Sequence, residues 1–256
     1  MIHPSAIIDP AARLGKNVSI GAFSIIGADV SIGDDCWIGP HVVISGPATI
    51  GRENRIFQFS SIGEAPQDLK YAGETTTLEV GDRNVIREYV TLNRGTVGGI
   101  GKTSIGSDNL FMAYCHVAHD CVIGNHCVFA NAASLAGHVE VGDHAILGGF
   151  TSVHQFSHIG AHAFCGLGSV VTQDIPPYTI AAGERVKTSG INKEGLKRRG
   201  FSTELIAALH KSFRLLLRSK HSREEVLAEL NALTEQYPEV DYFVQFVIQS
   251  KRGIAR

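Results

Sequence analysis

The sequence predicts a parallel β-helix, a prism wound from short strands, followed by a small helical domain. Three observations carry this. Aliphatic residues recur at every sixth position over most of the chain, most are followed by Gly or another turn-forming residue, and near residue 190 the six-residue beat gives way to helical spacing. A period of six fits neither a helix at roughly 3.6 nor an alternating strand at roughly 2, but it does fit strands joined by corners, each presenting the same inward residue.

The beat opens at Ile2 and runs through Ile8, Leu14, Ile20 and every sixth residue to Ile62. It resumes at Val80, Ile86 and Leu92, slips by one residue, and continues from Ile105 through Val117, Leu135 and Val153 to Val171. A second inward slot lies four residues after each aliphatic one and takes small or β-branched residues such as Val18, Ser24, Val30, Cys36 and Ala48. Corners and small slots account for the 28 glycines and the 7% aromatic content, since bulky rings would find little room inside. Two segments interrupt the beat. Residues 63–79 keep phase but carry Pro, Gly and charge, while 97–104 shift the phase. Both read as excursions, and long excursions from a regular scaffold tend to carry function.

Pro176-Pro177 is a stop signal, so the β-helix is expected over 1–190 and a helical domain over 191–256. Between Ser202 and Ser219, residues Leu205, Ile206, Leu209, Phe213, Leu216 and Leu217 share one helical face. Ser222 and Glu225 form a capping box that opens a second helix to about Gln236. Pro238 sits early in a third, which carries Val240, Phe243, Val244 and Val247.

The net charge of −2 argues against a general nucleic-acid binder, but it averages two unlike parts. Residues 1–184 hold 9 Lys and Arg against 17 Asp and Glu, a net of −8, and residues 185–256 hold 14 against 8, a net of +6. An acidic partner would dock on the tail. No basic-then-apolar leader opens the chain and no apolar run reaches the roughly 18 residues of a membrane span. The five cysteines, an odd number, suit a reducing compartment better than a disulfide framework. The expectation is a soluble, cytoplasmic protein.

The hexads resemble the hexapeptide-repeat family, whose triangular coils are left-handed and take three hexads, about 18 residues, per turn. With neighbouring strands about 4.8 Å apart, residues 18 positions apart should stack on one edge. That ruler takes His119 to Gly137 and Gln155, Asp120 to His138 and Phe156, and Ala118 to Ala136 and His154. Three histidines, an aspartate and a glutamine therefore share one edge. Histidine suits proton transfer near neutral pH, and an adjacent carboxylate orients it, so His119-Asp120 reads as a general-base pair. Gly137 is either an ordinary corner glycine or a donor to a developing oxyanion. No activated Ser or Cys pattern is evident, which favours direct transfer over a covalent intermediate.

Cys115, Cys121 and Cys127, interleaved with His116, His119 and His126, suggest a metal cluster at first sight. Their six-residue spacing instead puts each cysteine in the inward slot of a different face, which favours packing. A zinc site of the γ-carbonic-anhydrase kind stays as the lesser alternative, because the His116-to-His119 spacing is shorter than such a site uses.

The strings IGEAPQDLKYAGE (62–74), HVAHDCVIGN (116–125), LAGHVEVGD (135–143), VHQFSHIGAH (153–162) and INKEGLKRRGF (191–201) together resemble the family of UDP-N-acetylglucosamine O-acyltransferases that begins lipid A synthesis. The resemblance covers nearly the whole chain. It implies transfer of an (R)-3-hydroxyacyl group from acyl carrier protein to the sugar 3-hydroxyl, in a homotrimer with clefts between subunits and with no coenzyme or metal. His119 would then be the general base, Asp120 its orienting partner and Gly137 the oxyanion donor. Asp68, Lys70, His116, His138, His154 and Gln155 would hold the sugar or the acyl group. Asn192, Glu194, Arg198 and Arg199 would bind the nucleotide, adjacent arginines suiting a diphosphate. Leu167 stands where the family sets acyl length, and its bulk implies a shorter chain than glycine would admit. Asn93 replaces the histidine expected in many relatives, so no role is assigned to it. Two other readings compete: the related glucosamine N-acyltransferase, disfavoured by the DLKY and KRRGF strings, and a non-catalytic hexapeptide scaffold.

Overall fold

The computed structural model describes residues 1–256. Two- to five-residue strands form three flat sheets of nine, eight and ten strands, which wall a left-handed triangular prism. Register follows the repeat. Ile7 pairs with Ile25, Ile26 with Ile44, and Val117 with Leu135, each 18 residues on. Where the beat is interrupted the spacing lengthens, so that Ile62 pairs with Leu92 and Val80 with Ile105. The coil leaves its path between Glu64 and Thr77 and again between Asn93 and Lys102.

The inward aliphatics Ile20, Ile38, Ile44, Ile56 and Leu92 are all buried, and each is worth up to about 2 kcal/mol in area removed from water. Two inward positions of the six-residue beat are filled by rings. Phe111 and Phe129 are wholly buried on successive coils and stack at 4.7 Å, because the ring spacing equals the strand spacing. Other rings, including Phe23, Phe59, Tyr89 and Tyr114, stand outside at one edge of the prism.

Corners recur three residues after most of the inward aliphatics, in the left-handed backbone region. Asp120 (φ 59°) follows Val117 and His138 (φ 61°) follows Leu135 in this way. The conformation costs a non-glycine residue about 1–2 kcal/mol, so the closed coil holds Asp120 in a setting that an isolated strand would not adopt.

Past the coil, an antiparallel hairpin of Thr179–Ala182 and Lys187–Ile191 extends the ten-stranded sheet. Four helices follow: α1 (Lys193–Arg198), α2 (Thr203–Arg218), α3 (Arg223–Gln236) and α4 (Pro238–Gln249). Ser202 caps α2, Ser222 and Glu225 close the capping box of α3, and Pro238 opens α4. The chain end returns to the prism, where Ile254 bridges to Asp174.

Candidate active site

The strand His116–Val117 ends at the corner between the nine- and eight-stranded sheets, and the next residues form the core of the site. His119 Nδ1 lies 2.8 Å from Asp120 Oδ2, with the carboxylate wholly buried and the imidazole 15% exposed. Nδ1 facing a carboxylate carries the proton, which leaves Nε2 as the acceptor. Burial acts to raise the Asp120 carboxyl, but hydrogen bonds from Thr96 and His119 overcome it and hold the group below its usual value.

One coil on, Gly137 lies against the His119 ring. A Cβ there would come within 2.5 Å of Cε1 and 2.7 Å of Nε2, so only glycine lets the imidazole sit where it does. The Gly137 N–H has no acceptor within the chain. His138 meets His119 edge-on at 5.0 Å and stacks on Phe156 at 4.4 Å, with its Nδ1 3.9 Å from Asp120 Oδ2. Burial lowers the His138 pKa, opposed by the negative charges of Asp120 and Asp68. His116 Nδ1 pairs with Thr91 Oγ1 at 2.7 Å, and burial lowers that imidazole too. His154 and Gln155 are exposed on the same edge, where His154 Nδ1 donates to the Gln155 carbonyl at 3.0 Å.

Both interruptions of the coil leave from this same corner. The first carries Asp68, whose carboxylate accepts from the Lys70 N–H at 3.0 Å, and leaves the Lys70 side chain exposed. The second folds back on the site, and Thr96 and Ile100 from it donate to Asp120. The 18-residue step places Phe156 over His138, as observed, whereas Thr96 and Ile100 were not found from the sequence; the phase slip at 97–104 was the only signal for them.

The remaining residues lie on other edges. Asn192 caps α1 by accepting from the Gly195 N–H, and donates to the His162 carbonyl at the corner between the eight- and ten-stranded sheets. Arg199 reaches His162 Nδ1 at 3.4 Å, and Glu194 and Arg198 are exposed. From Asp120 to the next corner is six residues, up to about 20 Å of extended chain. The outside of that face is occupied, since Tyr242 and Phe246 of α4 share a cleft with Val122, Glu140 and His158. Leu167 stands 75% exposed at the third edge.

The cysteines are inert packing groups. Burial pushes Cys115 up to about 11 and Cys121 and Cys127 up to about 12. Donor atoms of His119, Asp120 and His138 lie within 4.8 Å of one another, but both Asp120 oxygens already accept hydrogen bonds.

Residues 174–255 match the model of UDP-N-acetylglucosamine O-acyltransferase, domain 2, and residues 29–56 and 102–137 match bacterial transferase hexapeptide repeats. The acyl-[acyl-carrier-protein]–UDP-N-acetylglucosamine O-acyltransferase of Herminiimonas arsenicoxydans is 52% identical, over 100% of this chain and 99% of its own. The protein of the same name from Pseudomonas putida is 53% identical over the same shares. The chain belongs to the UDP-N-acetylglucosamine O-acyltransferase family. The crystal structure of the Moraxella catarrhalis O-acyltransferase superposes with a TM-score of 0.97 at 45% identity, covering 100% of this chain and 99% of that one. The chain is therefore an O-acyltransferase of this family. No helix is long and apolar enough to cross a membrane.

Proposed function

We propose that the protein transfers an (R)-3-hydroxyacyl group from acyl carrier protein to the 3-hydroxyl of UDP-N-acetylglucosamine, with His119 as general base. The observation that carries this reading is the His119–Asp120 pair at 2.8 Å, its free Nε2 directed away from a buried carboxylate. Nε2 takes the proton of the sugar hydroxyl as that oxygen attacks the thioester carbonyl. The carbonyl oxygen becomes an oxyanion that accepts from the unpaired Gly137 N–H. Collapse breaks the carbon–sulfur bond, and the departing thiolate takes its proton from His119. Asp120 stabilises the imidazolium between the two steps without itself becoming protonated.

Asp68, Lys70, His116, His138, His154 and Gln155, on or beside one corner, hold the sugar and the acyl group. Asn192, Glu194, Arg198 and Arg199 hold the nucleotide, Arg198 having its guanidinium free for a diphosphate. With α4 across the intervening face, those residues serve the site of a second copy. This supports a homotrimer with clefts between subunits. The net +6 of residues 185–256 suits docking of an acidic acyl carrier protein. Cytoplasmic placement follows from that donor.

Mass spectrometry of the product made from UDP-N-acetylglucosamine and a mixture of hydroxyacyl carrier proteins tests the reading. An ester on the sugar supports it. No product, or an amide formed only when a 3-amino acceptor is supplied, overturns it.

A further inference from the structure

The second interruption of the coil, residues 94–101, makes no use of the hexad repeat and carries none of the substrate-facing residues, yet it supplies most of the hydrogen bonds at the buried carboxylate. We infer that this loop is the device that fixes the orientation of Asp120, with Thr96 as the positioning residue. The inference rests on the reading of His119–Asp120 as the base and its partner.

Both carboxylate oxygens are engaged. Oδ2 accepts from Thr96 Oγ1 at 2.6 Å and from His119 Nδ1 at 2.8 Å, while Oδ1 accepts from the Ile100 N–H at 3.0 Å, and the Thr96 N–H lies 3.1 Å from each oxygen. The Asp120 N–H donates to Thr103 Oγ1 at 2.9 Å, pinning the backbone as well. Donors on both oxygens stop the carboxylate from rotating about its last bond, so His119 meets one oxygen in one direction. Gly99 completes the fit, because a Cβ there would run into the Asp120 carboxylate.

The loop is itself fastened. Its N–H groups at Gly99 and Gly101 return to the Thr96 carbonyl, and the Thr77 N–H donates to the Gly101 carbonyl. Arg94 donates to the carbonyls of Gly46 and Gly63 and to the Tyr71 hydroxyl, which ties this loop to the excursion that carries Asp68. The carboxylate's orientation and the placement of the Asp68 segment thus share one anchor.

The test compares Thr96→Val, Thr96→Ser, Gly99→Ala, Asp120→Asn, the Thr96→Val/Asp120→Asn double variant and His119→Ala in steady-state acyl transfer. Thr96→Val keeps the shape and removes one charge-assisted hydrogen bond. It should lower kcat about tenfold or more with KM for both substrates changed by less than about twofold, and Thr96→Ser should restore most of the loss. In the Asp120→Asn background the same substitution should add nothing, since its target is already altered. A purely structural role would instead add its full loss in both backgrounds, and that result overturns the inference. So does native kcat in Thr96→Val while His119→Ala is inactive. Retained activity in His119→Ala would show instead that the base assignment is wrong. If Thr96→Val does not fold, Gly99→Ala decides. Its Cβ meets the carboxylate, so a fall in kcat in a folded protein supports the inference and an unchanged kcat overturns it.

Discussion

Gly137→Ala separates the positioning of the base from the integrity of the coil. The new Cβ would lie 2.5 Å from His119 Cε1, against an ordinary carbon–carbon contact of about 3.5 Å, so the ring must move by about 1 Å. It cannot do so and keep Nδ1 at 2.8 Å from Asp120, and a shift of that size away from the carboxylate takes the pair beyond hydrogen-bond range. A misplacement of about 1 Å at a reacting group costs about a hundredfold in rate, close to 2.7 kcal/mol in the barrier. The backbone at Gly137 lies outside the left-handed region and the three nearest clashing atoms all belong to one side chain, so unfolding should shift by only about 0.5 kcal/mol. Steady-state kcat together with a thermal melt reads both quantities. A variant with native melting and native kcat would refute the argument that the His119 ring must rest against Gly137 to work.

Three further outcomes are expected. The native protein should prefer a donor shorter by roughly two to four methylenes than Leu167→Gly does, as the family resemblance implies for a bulky side chain at the position that sets acyl length; equal preference in a competition among carrier-protein donors would deny Leu167 that role. Mixing His119→Ala and Arg198→Ala subunits, each inactive alone, should restore about a quarter of native activity if every site draws on two copies; no recovery in reassembled oligomers would place the site within one chain. Burial, reinforced by the positive charges of His144 and Arg199, lowers His162 to about 4 from the usual 6.5. The unfolded chain therefore takes up this proton first. The stability is intact above about pH 6.5 and falls towards pH 4, with about 2 kcal/mol lost between pH 7 and pH 5. Denaturant melts of His162→Gln should lack that share of the loss, and an undiminished slope would contradict it.

Some of this was legible in the residues and some was not, for identifiable reasons. The six-residue beat sets register directly, so the stacking of His119 on Gly137 and of Asp120 on His138 follows from an 18-residue step. The clamp on Asp120 does not, because Thr96 is 24 residues away across a segment that abandons the beat. Helix α1 escaped notice because six residues containing Gly195 give no helical periodicity, and its start depends on Asn192 serving as cap. The hairpin after Pro176-Pro177 is too short and irregular to alternate. The six-residue beat puts Phe111 and Phe129 inside, while their stack depends on two rings on successive coils making room for each other.

Whether His119 is the base is read most simply from the acyl-transfer rate of His119→Ala, measured on protein whose melting and oligomeric state match the native protein. The rate should fall at least about a hundredfold in kcat with substrate binding retained, because the proton of the attacking hydroxyl then has no acceptor. Transfer at the native rate by that variant would rule out His119 as the base.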